Sequence, residues 1–460
     1  MHMTNIKLVV AGVLLVAAAA GAAVAQQFGA RDPGVRGGLP AAGAPLDGLT
    51  PSQLAFFDIG KTEFQEADGL GEGLGPRFNL DSCGGCHSQP AMGGTSPATN
   101  PQIAVATAFG ARNTIPSFLT LDSPVREVRF KRHPDGTPDG GVHALFVISG
   151  RVDDGGDATA CTIPQPNFDR HFAAGNVIFR IPTPVFGAGL VEQIPDAAIL
   201  ANLRASATVK TALGIFGRPH RVRISGEPNN NGNDGTVARF GWKAQNKSLL
   251  LFSGEAYNVE MGITNELFQT ERDETASCQL AATPNNTTNT DGANATDTIS
   301  GIERFAFFMR LLAPPQPSMT TPGGALSIGR GRATFGAVGC ALCHTPTLQT
   351  GASSVAALSN KPVNLFSDLI LHNMGPGLAD EVSQGTAAGD EFRTAPLWGL
   401  GQRIFLLHDG RTSDLISAVR AHKSAGNAQY RASEANAVVD RFNALPESGK
   451  QDLLNFLRSL

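Results

Sequence analysis

Two short strings of the sequence combine paired cysteines with a histidine. Residues 83–87 read C-G-G-C-H, and residues 340–344 read C-A-L-C-H. In such a string the two thiols form thioethers with the vinyl groups of one porphyrin, and the adjacent histidine ligates the iron. The sequence therefore predicts two covalently attached c-type haems. The residues assigned to this attachment are Cys83, Cys86, His87, Cys340, Cys343 and His344.

Two other chemistries also use paired cysteines. A structural zinc site would combine the two pairs, but they lie far apart in the sequence and each carries its own histidine. A thioredoxin-like pair usually follows a strand in a βαβ unit, and the flanking sequence does not have that pattern. Haem attachment is therefore the interpretation that explains the histidines as well as the cysteines.

The first 25 residues have the pattern of a secretory signal. Lys7 precedes an apolar run over residues 8–20, and residues 23–25 read A-V-A, which matches an A-x-A cleavage site. We expect cleavage after Ala25 and a periplasmic or secreted mature chain. An uncleaved membrane anchor is the alternative interpretation.

The remaining two cysteines lie outside the haem strings. Cys161 and Cys278 are in polar, loop-like stretches of the sequence. Because a chain exported from the cytoplasm can form disulfides, we predict that these two cysteines pair with each other.

Composition narrows the class of protein. The 460 residues are 42% hydrophobic and only 17% charged, with 53 glycines and 29 prolines. These proportions predict a folded protein that is rich in loops. The net charge of −4 argues against a nucleic-acid partner. After the signal, no apolar segment is long enough to predict stable membrane insertion.

An apolar helical pattern precedes each haem string. An I-G-[KR] motif begins at Ile59 and again at Ile328, and a phenylalanine follows each, at Phe64 and Phe335. A helix that ends shortly before C-x-x-C-H is typical of cytochromes c. The shared pattern therefore predicts two related haem modules.

The chain ends in another amphipathic helical pattern. Ser448 and Gln451 have the spacing of a capping box, and leucines between Leu453 and Leu460 form an apolar face. A terminal helix that crosses the first helix of the second module would complete a cytochrome c-like domain.

The expected fold class is mainly α with extensive irregular structure, arranged as two cytochrome c-like haem domains. The N-terminal haem domain spans residues 26–312, and the C-terminal domain spans residues 326–460. A linker rich in proline and glycine, residues 313–325, separates them. Short alternating runs in residues 141–151 and 176–186 predict a small β-containing insertion in the N-terminal domain.

Several longer motifs occur in a fixed order around the haem strings. They read F-G-A-G-L-V-E at 186–192, R-F-G-W-K-A at 239–244, R-T-A-P-L-W-G at 393–399 and L-H-D-G-R at 407–411. Over residues 50–460 the chain resembles the bacterial di-haem oxidoreductases, a family related to the di-haem cytochrome c peroxidases and the di-haem rubber oxygenases. The resemblance implies a di-haem redox enzyme without identifying its substrate.

The resemblance also suggests a second iron ligand for the C-terminal haem. In the di-haem peroxidases a ligand follows the H-[DS]-G motif by 14 residues; here that motif begins at His408, and His422 stands at the corresponding position. Peroxidases often have methionine there, whereas histidine matches the rubber-oxygenase branch. His372 is the alternative ligand, with Met374 as a further candidate.

The N-terminal haem is predicted to have an open or weakly occupied iron, because no histidine follows its string closely enough to be an obvious ligand. The resemblance places Trp242 between the haems and Glu260 and Tyr257 at the reactive iron. A tryptophan gives an electron a shorter path than saturated side chains do. A carboxylate above the iron can move a proton between the oxygens of peroxide. The alternative interpretations are that Trp242 is an ordinary core residue and that Glu260 is a paired or solvated surface carboxylate.

The leading functional hypothesis is a periplasmic peroxidase that reduces hydrogen peroxide at the N-terminal haem. Electrons would be relayed by the C-terminal haem from a donor such as a small cytochrome c. The first alternative is an oxygenase that uses dioxygen on an apolar substrate, and the second is a non-catalytic electron-transfer cytochrome.

Candidates for pairing with haem propionates are Arg239, Arg393 and Arg411. The resemblance also raises calcium between the haems, for which no ligands can be assigned.

Overall fold

The computed structural model of the protein describes residues 29–221 and 236–460. The predicted signal segment, residues 1–25, lies outside the described residues. In the part of the chain that is described, every helix falls short of the length and apolarity that a bilayer crossing requires.

Helices provide most of the regular structure. They are α1 (Pro51–Gln65), α2 (Cys83–Cys86), α3 (Gln102–Val105), α4 (Phe168–Ala173), α5 (Ala188–Glu192), α6 (Asp196–Arg204), α7 (Ala207–Ala212), α8 (Leu249–Met261), α9 (Ala295–Thr298), α10 (Gly301–Leu311), α11 (Gly324–Val338), α12 (Leu415–Ala421), α13 (Asn436–Asn443) and α14 (Glu447–Ser459). Long irregular segments connect them. The expectation of a mainly α fold with extensive irregular structure is therefore confirmed.

The strands are short and pair two at a time in antiparallel sheets. They are β1 (Arg77–Phe78), β2 (Glu127–Phe130), β3 (Phe146–Val147), β4 (Val152–Asp153), β5 (Gly156–Asp157), β6 (Val177–Arg180), β7 (Leu348–Gln349), β8 (Pro362–Val363), β9 (Leu371–Asn373) and β10 (Glu391–Arg393). The pairs are β1–β3, β2–β6, β4–β5, β7–β8 and β9–β10. Strands do occur within both stretches that predicted them, but small sheets also lie outside the predicted insertion.

Each haem string is supported by a pair of helices that cross at a glycine. Helix α1 crosses α10, and a Cβ atom on Gly60 would lie 2.2 Å from the carbonyl oxygen of Arg304. Helix α11 crosses α14, and a Cβ atom on Gly331 would lie 1.9 Å from the carbonyl oxygen of Asp452. Only glycine permits backbones to approach so closely.

The crossing corrects the register of the predicted repeat. A Cβ on Gly329, the glycine of the second I-G-[KR] motif, would meet no atom within 4 Å. Gly60 corresponds instead to Gly331, and Phe64 corresponds to Phe335. In both helices the phenylalanine follows the glycine by four residues. Phe64 lies 5.8 Å from the ring of His87, and Phe335 lies 6.4 Å from the ring of His344, between ring centroids. The two haem strings thus share a G-x-x-x-F support.

The predicted capping box of the last helix is wrong. Helix α14 begins at Glu447 with Pro446 as its N-cap, so Ser448 lies inside the first turn and makes no cap. The Gln451 side chain instead donates to the backbone oxygen of Arg31 at 3.0 Å. The proline has an extended backbone just before the helix, and the helix starts two residues earlier than the spacing suggested.

The apolar core does not divide at the predicted linker. One cluster runs from Leu46 to Trp398 and so draws on both sides of residues 313–325, while a second is formed around α11, α12 and α14. The linker itself is hydrogen-bonded, from Ala313 N to Ala44 O at 2.9 Å and from Ser318 N to Ser459 O at 2.7 Å. The boundaries of the two haem domains stay a prediction.

The predicted disulfide is confirmed. Cys161 and Cys278 are bonded to each other across 117 residues of sequence, and both are buried. The bond joins the segment after β5 to the long irregular stretch that follows α8.

Removing this disulfide should lower the free energy of unfolding. For a loop of this length, we expect the Cys161→Ser/Cys278→Ser variant to lose about 2–4 kcal/mol, because the cross-link restricts the unfolded chain. Thermal or denaturant unfolding measures the difference. Wild-type protein in a thiol reductant is the matched comparison, and equal stability of the oxidised and reduced forms would contradict the expectation.

Candidate haem sites and the residues between them

The first haem string lines a large cavity. Cys83, Cys86 and His87 lie at a space of about 1200 Å³, whose other walls include residues 252–261 of α8 and the strand pair β2–β6. Helix α8 begins after Ser248, whose side chain accepts a hydrogen bond from Leu251 N. The elements around this string therefore leave room for a group much larger than a water molecule.

The second haem string lines a separate cavity. Cys340, Cys343 and His344 lie at a space of about 1440 Å³, and His422 lies in the same lining. The remaining walls are largely apolar and come from α11, α12, α13 and the segment around residue 400. The structure thus brings His422 to the cavity of the second string, as the sequence predicted for an axial ligand.

The three predicted iron ligands share one hydrogen-bonding arrangement. The Nδ1 atoms of His87, His344 and His422 lie 3.0, 3.1 and 2.8 Å from a backbone carbonyl oxygen. A carbonyl accepts only, so Nδ1 carries the proton and Nε2 carries the lone pair that a metal requires. In the described residues, no hydrogen bond reaches Nε2 of His344 or His422. Burial lowers the pKa of His87 and of His344 to about 4, which keeps both rings neutral.

Two arginines at the first cavity each leave one donor unused, while their terminal nitrogens bind Asp380 and the backbone oxygen of Asp409. The Nε atoms of Arg126 and Arg180 are buried and have no hydrogen-bond partner among the described residues. Both side chains line the cavity of the first string. An unpaired buried N–H group is costly, and a haem propionate is an anion that could accept from it. The donor set therefore fits a haem.

A similar pair of arginines lies at the second cavity. Arg393 and Arg403 are buried there, and neither forms an ion pair with a carboxylate in the described part of the chain. Burial lowers the pKa of each to about 10, and the charge of Arg403 adds to the effect on Arg393. Arg393 donates to the backbone oxygens of Gly241 and Thr394, and its pairing with a haem propionate stays a prediction. Arg239 pairs with Asp196 and the exposed Arg411 with Asp409, so both are engaged elsewhere.

Glu260 is a half-buried acid in the wall of the first cavity. Asn79 Nδ2 donates to its Oε2 at 2.7 Å. Burial and the neighbouring carboxylate of Glu127 raise the pKa of Glu260 to about 8. Glu127 itself stays ionised, because the charges of Arg129 and Arg180 outweigh the effect of burial and lower its pKa. At neutral pH the glutamate predicted to act at the reactive iron therefore carries a proton.

The charged partners of Glu260 were missed by the sequence prediction. They lie on the strand pair β2–β6, in which Glu127 stands directly opposite Arg180. Arg129 Nε donates to Glu127 Oε1 at 2.6 Å. The available signal was the charged residues within the run E-V-R-F at 127–130, but the sequence alone did not show which strand pairs with it.

Tyr257 lies in the same cavity wall, with its hydroxyl group already engaged. It donates to Asp68 Oδ2 at 3.0 Å, and its ring meets the Phe305 ring edge-on at 5.0 Å between centroids. Burial raises the pKa of Asp68 to about 7 and that of Tyr257 well above its usual value. The structure therefore places the tyrosine ring, rather than a free hydroxyl group, at the cavity.

Trp242 lies at both haem cavities. Its side chain is part of the lining of the first and of the second, and its Nε1 donates to Ile181 O at 2.9 Å. A smaller space of about 590 Å³ between them is also lined by Trp242 and by Trp398. The placement agrees with a residue that lies between two haems.

The alternative ligands of the second haem are placed differently. His372 is buried between two carboxylates, with Nε2 2.9 Å from Asp368 and Nδ1 2.7 Å from Glu434. Both of its nitrogens are therefore engaged. Met374 lines the second cavity, and His408 stacks on the Phe392 ring at 4.3 Å. Among the described residues, His422 combines an Nδ1 bonded to a backbone carbonyl with an Nε2 that makes no hydrogen bond, whereas His408 has no such carbonyl contact.

No calcium ligands can be assigned from the described residues. The one group of three metal-binding side chains found there is Cys343, Asp368 and His372, which includes a cysteine of the haem string. One cluster of oxygens next to Trp242 is already occupied by a cation of the chain itself. The ammonium group of Lys243 lies there, 3.1 Å from Asp380 Oδ1 and 2.8 and 3.0 Å from two backbone carbonyl oxygens. Calcium stays a prediction without a site.

Comparison with known proteins identifies the family. The family model described as "Di-haem oxidoreductase, putative peroxidase" matches residues 129–460, which is more than half of the chain. The protein therefore belongs to the di-haem oxidoreductases. It is a redox enzyme of the di-haem class, and its cofactors are haems.

Two solved structures are similar over part or most of the chain. A hydrazine synthase of Kuenenia stuttgartiensis, pressurised with xenon, is 13% identical with a TM-score of 0.33, and the match covers 93% of this chain and 97% of that one. A MauG-like protein associated with microbial copper homeostasis is 17% identical with a TM-score of 0.28, covering 53% of this chain and 77% of that one. Both scores are too low to define the fold. No curated protein matches the chain.

The raised pKa of Glu260 predicts a pH dependence of stability. Because the folded-state pKa is about 8 against an ordinary value of 4.5, the folded protein binds more protons, and stability falls as pH rises between these values. The Glu260→Gln variant cannot titrate and should lack this part of the fall. Denaturant unfolding of both proteins from pH 5 to 8 measures it, and parallel stability curves would contradict the pKa shift.

Proposed function

We propose that the protein is a peroxidase that reduces hydrogen peroxide in the cavity beside His87. The observation that carries this proposal is Glu260, a half-buried carboxylic acid in the wall of that cavity whose pKa is raised to about 8. A haem bound there, held by thioethers to Cys83 and Cys86, supplies an iron that binds peroxide and carries electrons. The chain's own residues must then manage the protons.

Glu260 is suited to move a proton within bound peroxide. In its neutral form it can donate from a carboxyl oxygen to the oxygen that leaves as water, and in its ionised form it can accept the proton of the other oxygen. The ionised Glu127 beside it disfavours loss of that proton, while Asn79 fixes the carboxyl group by a hydrogen bond to Oε2. Glu260 would therefore hold a proton in the wall of the cavity where we propose that the O–O bond is cleaved.

The second cavity has the features of an electron-transfer site. His344 and His422 both lie in its lining, so these two histidines would hold the iron of a haem bound there. Electrons from a donor such as a small cytochrome c would enter at this haem and cross near Trp242. The predicted signal segment supports a periplasmic or secreted location for this reaction.

The oxygenase alternative is supported by one feature and opposed by another. An aromatic ring, Tyr257, lies in the first cavity as that hypothesis requires. Most of the lining is apolar, but it also carries four ionisable side chains, Glu260, Glu127, Arg129 and Glu255, which can bind and protonate a small polar oxidant. A stable dioxygen complex of the purified protein, with no turnover of peroxide, would favour the oxygenase.

Electron paramagnetic resonance distinguishes an enzyme from a simple electron carrier. An open iron beside His87 should give a high-spin signal in the oxidised protein, together with a low-spin signal from the second haem. Two low-spin haems that persist after partial reduction would exclude catalysis at either iron.

The Glu260→Gln variant should lose peroxidase activity. We expect kcat with hydrogen peroxide and a reduced cytochrome c to fall by roughly 10²–10⁴-fold, the usual contribution of a general acid–base residue. Glu66→Gln, which changes an exposed glutamate, is the control and should keep wild-type turnover. A kcat within a fewfold of wild type for Glu260→Gln, with both haems present, would contradict the proposed role.

Replacing Trp242 should slow electron transfer between the haems. The Trp242→Phe variant removes the indole ring that lines both cavities, so we expect slower oxidation of the second haem after peroxide is added to reduced protein. Stopped-flow absorbance follows this step. Trp398→Phe is the matched control, because Trp398 lines the space between the cavities without reaching either one. Equal rates in both variants would argue against a path near Trp242.

A further inference from the structure

The N-terminal segment, residues 29–41, lies against the C-terminal part of the molecule. Ala30 N donates to Glu447 Oε2 at 2.6 Å, and Arg36 N donates to Gly401 O at 2.7 Å. The beginning of the described chain therefore contacts the elements that surround the second haem cavity.

Asp32 makes the buried polar contacts of this segment. Its carboxylate accepts hydrogen bonds from Arg458 Nε at 2.8 Å and Arg458 Nη2 at 2.7 Å, a two-pronged ion pair. Its Oδ2 also accepts from Leu415 N at 2.7 Å. The Asp32 side chain is 7% exposed and the Arg458 side chain 1%. A charge pair held this far from water has a defined geometry, because leaving either partner unpaired is costly.

Leu415 is the first residue of α12, and His422 directly follows the last residue of that helix. The helix has seven residues, so it spans only about 10 Å. His422 Nδ1 is tied to Ala418 O within the same helix, which makes the imidazole ring follow the helix as a unit. Arg458 Nη2 also donates to Ser413 O at 3.0 Å, just before α12 begins. A tilt at the start of α12 would therefore displace Nε2 of His422.

We infer that Asp32 is a positioning residue that holds His422 at the second haem, through Leu415 N and the side chain of Arg458. The inference rests on the proposed assignment of His422 as an iron ligand. The coordination of the C-terminal haem then depends on the N-terminal segment of the chain, although several hundred residues separate them in sequence.

The Asp32→Asn variant of the full-length holoprotein tests this role. It keeps the size of the side chain and removes the charge that aligns Arg458. We expect the low-spin signal of the second haem to become heterogeneous or to convert partly to high spin, and its reduction potential to shift. Amide hydrogen exchange across α12 should become roughly tenfold faster, because Leu415 N loses its charged acceptor. Asp47→Asn, at an exposed aspartate near the same segment, is the charge-matched control.

Two outcomes separate this inference from the ligand assignment. If Asp32→Asn lowers thermal stability but leaves the spin state, the potential and the exchange of α12 unchanged, Asp32 has a structural role only and the inference is wrong. If His422→Ala leaves the wild-type low-spin signal, the ligand assignment itself fails. Arg458→Lys, which keeps the charge without the two-pronged contact, should change the same observables to a smaller degree. It supplies the test should Asp32→Asn fail to accumulate, and an unchanged spectrum in that variant would again overturn the inference.

Discussion

The chemistry of this protein depends on a hydrogen bond from an imidazole Nδ1 to a backbone carbonyl oxygen. His87, His344 and His422 each have one. The bond fixes the tautomer, so that Nε2 carries the lone pair that a metal ligand requires. His372 shows the contrast, because two carboxylates engage both of its nitrogens. The local backbone therefore decides which histidines can serve as ligands.

The two cavities differ in where their charges lie, and the difference separates their proposed roles. The first contains a neutral glutamic acid next to an ionised glutamate and two arginines, so a proton can be held and moved there. The second is lined mostly by apolar side chains, with Arg393 and Arg403 as its buried cations. Its lining also includes Glu434, but this carboxylate is paired with His372 rather than with a second acid. The difference supports the proposal that proton chemistry belongs to the first cavity and electron transfer to the second.

Spacing in the sequence was enough to predict the features that follow from local covalent chemistry. The haem strings, the disulfide of Cys161 and Cys278, and the helices before each string all follow from residue type and periodicity. Residues brought together by irregular chain could not be predicted in the same way. Glu127 meets Glu260 because β2 pairs with β6, and the sequence gives no register for that pairing. Gly331 rather than Gly329 supports the second string, since only the helix crossing shows which backbone is approached.

The residues around Trp242 explain how one side chain can stay fixed between two large cavities. The backbone oxygen of Trp242 accepts from Arg393 N at 2.9 Å, which ties it to β10. The following residue, Lys243, is fully buried, and its ammonium group contacts Asp380 and lies 4.1 Å from the centre of the Phe392 ring. Burial lowers the pKa of Lys243 to about 8, so it remains mostly charged at neutral pH and keeps these contacts. A buried cation held by several oxygens cannot move without leaving its charge unpaired. The tryptophan next to it is therefore restrained on both sides, by a strand and by an internal ion pair.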